Sequence, residues 1–187
     1  MNYINSIVEA IGNTPLLKLN HIGSGVDANI FVKLEHLNPS GSYKDRMALS
    51  MIEAAEKGET WNNRKLAKDG TVLEASAGNT AAAVAMVCAA KGYKAKFVLY
   101  RYQLEDGKNS RINIVKAFGP EVECSSSPDK YLTQEALEVF TKREPDLPQV
   151  LAAKMDCQIL EDNDHNCVWL DQIYNPANYL GQKKMAY

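Results

Sequence analysis

The chain has 187 residues, 45% of them apolar and 24% charged, with a net charge of -2. This is the balance of a globular protein with a sizeable core. With no basic block in the chain, a nucleic-acid partner is not expected. No apolar run approaches the roughly 20 residues that cross a bilayer, so no membrane partner is expected either. Met1 to Asn13 lacks the basic start and apolar core of a secretion signal, so a cytoplasmic location is expected. Cys88, Cys124, Cys157 and Cys167 form no Cys-x-x-Cys pair and read as free thiols. His21, His36 and His165 do not cluster, and no metal site is expected.

Along the chain, Leu16–Leu19 and Ile30–Leu34 are β-prone runs joined by a Gly/Asn-rich turn. A helix follows. Ser42 is placed to cap it, with Asp45 three residues on in a capping-box arrangement. Met47, Met51, Ile52 and Ala55 fall on one face, and Gly58 supplies the stop. A strand over Thr71–Ala75 leads into the tight loop Ser76-Ala77-Gly78-Asn79-Thr80, then an apolar helix from Thr80 to Lys91. A strand over Ala95–Tyr100, a helix from Gly107 to Phe118, a strand over Glu121–Cys124 and a helix from Tyr131 to Arg143 complete the rhythm. Short strands alternating with helices predict an α/β fold, a parallel twisted sheet with helices on both faces. Glu144–Gln149 holds two prolines and reads as a linker or domain crossing. After it the pattern is weak until Val168–Tyr174.

Two loop–helix junctions carry chemistry. Lys44 lies just inside a helix start, where the backbone dipole disfavours a cation, and a neutral lysine amine condenses with carbonyls. The loop Ser76–Thr80 follows a strand and opens a helix, an arrangement that binds an anion through backbone N–H groups. Asn79 adds an amide donor and acceptor. The same loop also reads as a simple helix-capping turn. A cluster of Arg101, Tyr102, Lys108 and Arg111 lies at the mouth of the same sheet and reads as a solvated helix start. Trp61 reads as a loop anchor and Trp169 as packing.

Ile11-Gly12-Asn13-Thr14-Pro15-Leu16, Lys33-Leu34-Glu35, Asn38 to Arg46, Glu74 to Thr80 and Asn175-Pro176-Ala177-Asn178 stand in an order that resembles cysteine synthases (O-acetylserine sulfhydrylases) and the related cystathionine β-synthases. These are fold-type II pyridoxal-phosphate enzymes. The resemblance implies that Lys44 binds the cofactor covalently and later moves protons, and that Asn79 bonds its ring oxygen. It implies that Ser76, Gly78, Thr80 and Gln172 hold the substrate, and that the reaction is a β-replacement on an activated serine, giving cysteine or another β-substituted alanine. Residues 1–42 then belong to a large domain, 43–149 to a small βαβ domain, and 150–187 to a return segment.

Two departures stand out. The family commonly reads Pro-Thr-Ser-Gly-Asn-Thr-Gly where this chain has Ala75-Ser76-Ala77-Gly78-Asn79-Thr80-Ala81, so Ala77 lacks a hydroxyl worth roughly 1.5–3 kcal/mol to a charged ligand. Family members also continue well past the Asn-Pro-Ala-Asn motif, into a glycine-rich loop that holds the cofactor phosphate. Three expectations follow. A second polypeptide supplies that half and the phosphate loop, or these are the N-terminal residues of a full-length enzyme, or the chain is a non-catalytic remnant that binds an intact synthase.

Overall fold

Burial on both faces of the central strands decides the architecture. In the computed structural model, which describes residues 3–100 and 110–186, a four-stranded parallel sheet is built from β3 (Thr71–Glu74), β4 (Lys94–Leu99), β5 (Glu121–Cys124) and β6 (Cys167–Trp169), in the order β5-β4-β3-β6. Val72, Ala95, Phe97, Leu99 and Val168 point to one face, and Leu73, Val98, Cys167 and Trp169 to the other. Both sets are buried, which is why the strands read as nearly continuous apolar runs.

The first face is covered by α1 (Lys44–Lys57), α2 (Asn79–Lys91), α3 (Ser110–Ala117) and α6 (Pro176–Lys183). Met47, Met51, Ile52 and Ala55 of α1 are all fully buried there, as their spacing predicts. Helix α2 is buried from Thr80 to Cys88. The second face is covered by α5 (Leu147–Asn163), with α4 (Gln134–Arg143) packed outside it. Trp61 anchors its loop to this layer. Its Nε1 donates to Trp169 O at 3.3 Å, and the two rings meet edge to face at 5.6 Å. Ahead of the sheet, β1 (Leu16–Lys18) and β2 (Phe31–Lys33) form an antiparallel ribbon with Leu17 opposite Val32. Among the described residues no helix is long and apolar enough to cross a membrane.

Three local expectations are corrected. The second half of the expected linker, Leu147 to Gln149, is the first turn of α5, the longest helix among the described residues, and only Glu144 to Asp146 form a turn before it. Pro148 sits in its first turn, where a missing N–H costs nothing and a fixed φ helps. The apolar periodicity was blurred because Met155 and Ile159 face solvent while Glu161 is fully buried on the stripe with Ala153 and Cys157. The boundary expected at 149/150 therefore falls within the first turn of α5, and β6 joins the main sheet beside β3. Next, Asp45 does not close a capping box. Its carboxylate turns back to Ser40, accepting from the backbone N–H at 2.8 Å and from the hydroxyl. Third, α4 begins at Gln134 rather than Tyr131, because the Thr133 hydroxyl accepts from Ala136 N and caps it. The basic cluster around Arg101 lies outside the described residues and side chains.

Helix α6 lies hard against the first turns of α1. A Cβ added at Gly181 would stand 2.7 Å from Arg46 O and 2.8 Å from Ser50 Cβ. Since backbone cannot yield cheaply, Gly181→Ala should destabilise the fold by about 2 kcal/mol. Urea unfolding should show this as a lower midpoint with an unchanged slope.

Candidate active site at the sheet switch point

The strand order places the site. From β3 the chain moves outward through β4 to β5, then crosses back to lay β6 on the opposite side of β3. Ligands in such sheets sit beyond the carboxyl ends of the strands where the order reverses. Here those ends are Glu74, leading into Ser76–Thr80, and Trp169, leading into Gln172.

Hydrogen bonds join the two ends. Thr80 Oγ1 donates to Gln172 Oε1 at 2.6 Å. Glu74 accepts from Ala75 N at 3.1 Å, from Gln172 N at 3.2 Å and from Gln172 Nε2 at 3.5 Å. Asn178 Nδ2 donates to Gln172 O at 2.6 Å. The Asn175 side chain caps α6 through Ala177 N and reaches back to Leu170 O. Within the loop, Gly78 N donates to Ser76 Oγ at 3.4 Å. A Cβ at Gly78 would meet nothing within 4 Å, so there is open space above the bend. Asn79 is the first residue of α2 and its side chain is exposed. The Ala77 methyl, by contrast, is buried with the α1–α2 core, where a hydroxyl would need a partner of its own.

Lys44 is the first residue of α1, and its N–H donates to Ser42 Oγ at 3.2 Å. Its Nζ lies 5.1 Å from the Tyr43 ring centroid, and among the described residues it makes no hydrogen bond or ion pair. The turn beneath it is rigid. Arg46 Nε and Nη2 donate to the two Glu35 oxygens at 2.8 and 2.9 Å, and Nη2 also reaches Gly12 O at 2.8 Å. Asn38 Oδ1 accepts from Gly12 N while its Nδ2 donates to Glu35. Thr14 Oγ1 donates to Glu35 at 2.6 Å, and Lys33 Nζ to Thr14 O. Gly12 has φ 86°, and a Cβ there would strike Arg46 Nη1 at 2.7 Å. The sequence motifs around positions 12, 35 and 46 are thus one network.

Packing of α1 against α2 and α6 holds Lys44's helix beside the loop's helix. The predicted residues Thr80 and Gln172 are directly bonded, and Ser76 and Gly78 share their loop. Lys44 and Asn79 each open one of two adjacent helices, with no bond between them.

Sequence reasoning missed a buried charge cluster behind the loop. Glu74 is 2% exposed and Asp171 3%. Burial, and next the neighbouring Asp171 carboxylate, push the Glu74 carboxyl up to about 8. Asp171 is held by Lys154 Nζ at 3.1 Å, and Lys154 lies over the Tyr174 ring at 4.3 Å. Asp171 also has φ 43°, a left-handed conformation that a non-glycine residue adopts only under constraint. Glu74, Asp171 and Lys154, with Tyr100 and Gln172, line a cavity of about 260 Å³. The missed signal was a carboxylate at the end of an otherwise apolar strand, a placement that costs free energy unless it is used.

The two carboxyls respond oppositely to pH. The Arg46 guanidinium holds Glu35 down to about 2. The stability this contributes is complete above the ordinary carboxylate range and is lost as pH falls from about 4.5 to about 2. Arg46→Leu strands a partly buried carboxylate and should cost about 2 kcal/mol at pH 7. In urea melts the gap to wild type should narrow toward pH 2. Glu74 keeps its proton longer in the folded state than in the unfolded one, so stability falls as pH rises from about 4.5 to about 8. Glu74→Gln should flatten that slope in the same melts.

The described structure is an α/β fold, a parallel sheet with helices on both faces, with a lysine at the helix start beside the helix that the switch-point loop opens. The family model described as pyridoxal-phosphate dependent enzyme matches residues 7–187, and the chain belongs to that family. Cysteine synthase of Staphylococcus aureus (strain N315) is 42% identical over 119 residues, covering 64% of this chain and 36% of that protein. Cysteine synthase B of Salmonella typhimurium is 43% identical over 120 residues, with the same coverage. A hydrogen sulfide-producing enzyme of Fusobacterium nucleatum superposes with a TM-score of 0.71 at 32% identity, over 97% of this chain and 50% of that one. O-ureido-L-serine synthase gives a TM-score of 0.70 at 26% identity, over 99% and 49%. The chain thus spans about a third of the curated relatives in sequence and about half of the solved structures.

Proposed function

We propose that this chain carries the lysine side of a β-replacement site, converting an activated serine to cysteine or another β-substituted alanine in the cytoplasm. What supports the reading most is the bond that closes Thr80 onto Gln172 across the switch point, beside the helix that begins with Lys44. The residues fit the family cofactor. Lys44 offers an amine without a hydrogen-bond or ion-pair partner among the described residues, Asn79 an exposed amide, and Gly78 open space.

Lys44 and Asn79 would hold pyridoxal phosphate, which supplies an electron sink at the substrate α-carbon. The chain's own groups do the rest. The backbone N–H groups that open α2, with Ser76 and Thr80, receive the substrate carboxylate at a helix N-terminus. Gln172 donates to that carboxylate. The Lys44 amine takes the proton from the substrate α-carbon and later returns it there.

The rest of the fold, including the phosphate loop, comes from a second polypeptide in this reading. Leu16, Leu17, Phe31 and Val32 are exposed on both faces of the β1–β2 ribbon, and no third strand pairs with it among the described residues. A two-stranded ribbon is marginal alone in water and gains by adding neighbours. Native mass spectrometry of the assembly purified from its source should show this chain with a second subunit.

The cofactor assignment is tested on that assembly. After incubation with pyridoxal phosphate and borohydride reduction, peptide mapping should find a pyridoxyl group on Lys44, and Lys44→Ala should carry none at any position. A label that persists elsewhere at full level in the variant would remove Lys44 from the reaction.

A further inference from the structure

From the hydrogen bonds around Gln172 we infer that Glu74 is a positioning residue that fixes which end of the Gln172 amide faces the ligand, and so selects a carboxylate over a carboxamide. The inference rests on the amino-acid site proposed above and adds to it a specificity device.

An amide side chain is nearly symmetric in shape, and its two ends differ only in hydrogen-bond sense. Something must choose between them. At Gln172 two neighbours do. The Thr80 hydroxyl donates to Oε1 at 2.6 Å, which fixes the acceptor end against α2. Glu74 Oε1 accepts from Nε2 at 3.5 Å, which fixes the donor end against β3. Reversing the amide would set its oxygen against the Glu74 carboxyl.

The backbone strengthens the choice. Glu74 Oε2 accepts from Gln172 N and Oε1 from Ala75 N, so one carboxyl grips both the start of the substrate loop and the residue that faces it. With a proton on Oε2, Oε1 still keeps two lone pairs for Ala75 N–H and Gln172 Nε2–H, so the lock survives protonation. Once both ends are assigned, one N–H of Nε2 remains uncommitted. That group can meet only an acceptor. A carboxylate oxygen satisfies it, whereas the NH2 of a carboxamide set there leaves two donors facing each other.

The test uses the cofactor-loaded assembly and two unreactive probes, L-alanine and L-alaninamide, with binding read by calorimetry. Wild type should prefer L-alanine. In Glu74→Leu the acceptor that holds Nε2 is gone, and the preference should fall about tenfold, chiefly through tighter binding of L-alaninamide. Thr80→Val removes the other half of the lock and should give a similar fall. The double variant should fall no further than either single one. Borohydride labelling of Lys44 should be unchanged in all three variants. Because Thr80 also receives the carboxylate, its ratio counts only beside that of the Glu74 variant; should Glu74→Leu fold poorly, Glu74→Met is read in its place. A variant that weakens both probes equally, or leaves their ratio unchanged, overturns the inference while the amino-acid site stands. A labelled wild type that binds neither probe overturns the amino-acid site and this inference together.

Discussion

A single buried guanidinium organises the Lys44 side of this protein. Arg46 lies on the first turn of α1, yet its donors are taken up by Glu35 and the Gly12 carbonyl, residues distant in the chain. A buried cation must be matched or the fold loses several kcal/mol. A flat guanidinium matches a carboxylate through two parallel bonds in a way that a lysine ammonium cannot. Gly12 must lack a Cβ for the guanidinium to sit there. Three separate segments are therefore fixed by one side chain, and Lys44, two residues away, inherits their rigidity.

The protein places the same residue type in two opposed electrostatic settings. Glu35 faces Arg46 directly and stays ionised to very low pH. Glu74 is deeper, has no cation in direct contact among the described residues and stands near a second carboxylate, so burial keeps it protonated into the neutral range. The first setting secures structure. The second ties Ala75 to Gln172 across the switch point, and a buried acid beside a strained Asp171 at the end of a sheet strand is a mark of a site under constraint. That constraint falls on Gln172 and Thr80.

The two ends of the chain's described structure differ in how well they are covered. The parallel sheet is clothed on both faces, whereas the β1–β2 ribbon shows apolar side chains on both of its faces. The same ribbon is tied to the Arg46 network through Lys33, Thr14 and Glu35. Whatever covers the ribbon is thus mechanically coupled to the turn that carries Lys44.

Much of the fold was legible locally. Glycine ends α1 at Gly58, where φ is 79°, and the apolar runs in β3 and β4 mark strands because both faces are buried. The loop Ser76–Thr80 could be named as a site because a strand, a glycine bend and a helix start follow one another in sequence. Helix α5 was hidden because its one proline, Pro148, lies where helices tolerate it and its buried stripe contains a glutamate. The amino-acid order by itself determined the element types, the Lys44 turn and the anion loop, all set by neighbours a few positions apart. Only the tertiary structure decided that Glu74 meets Gln172 across 98 positions and that Asp45 serves Ser40 rather than a helix cap. Partners chosen by strand order and burial leave no periodic trace in the chain that forms them.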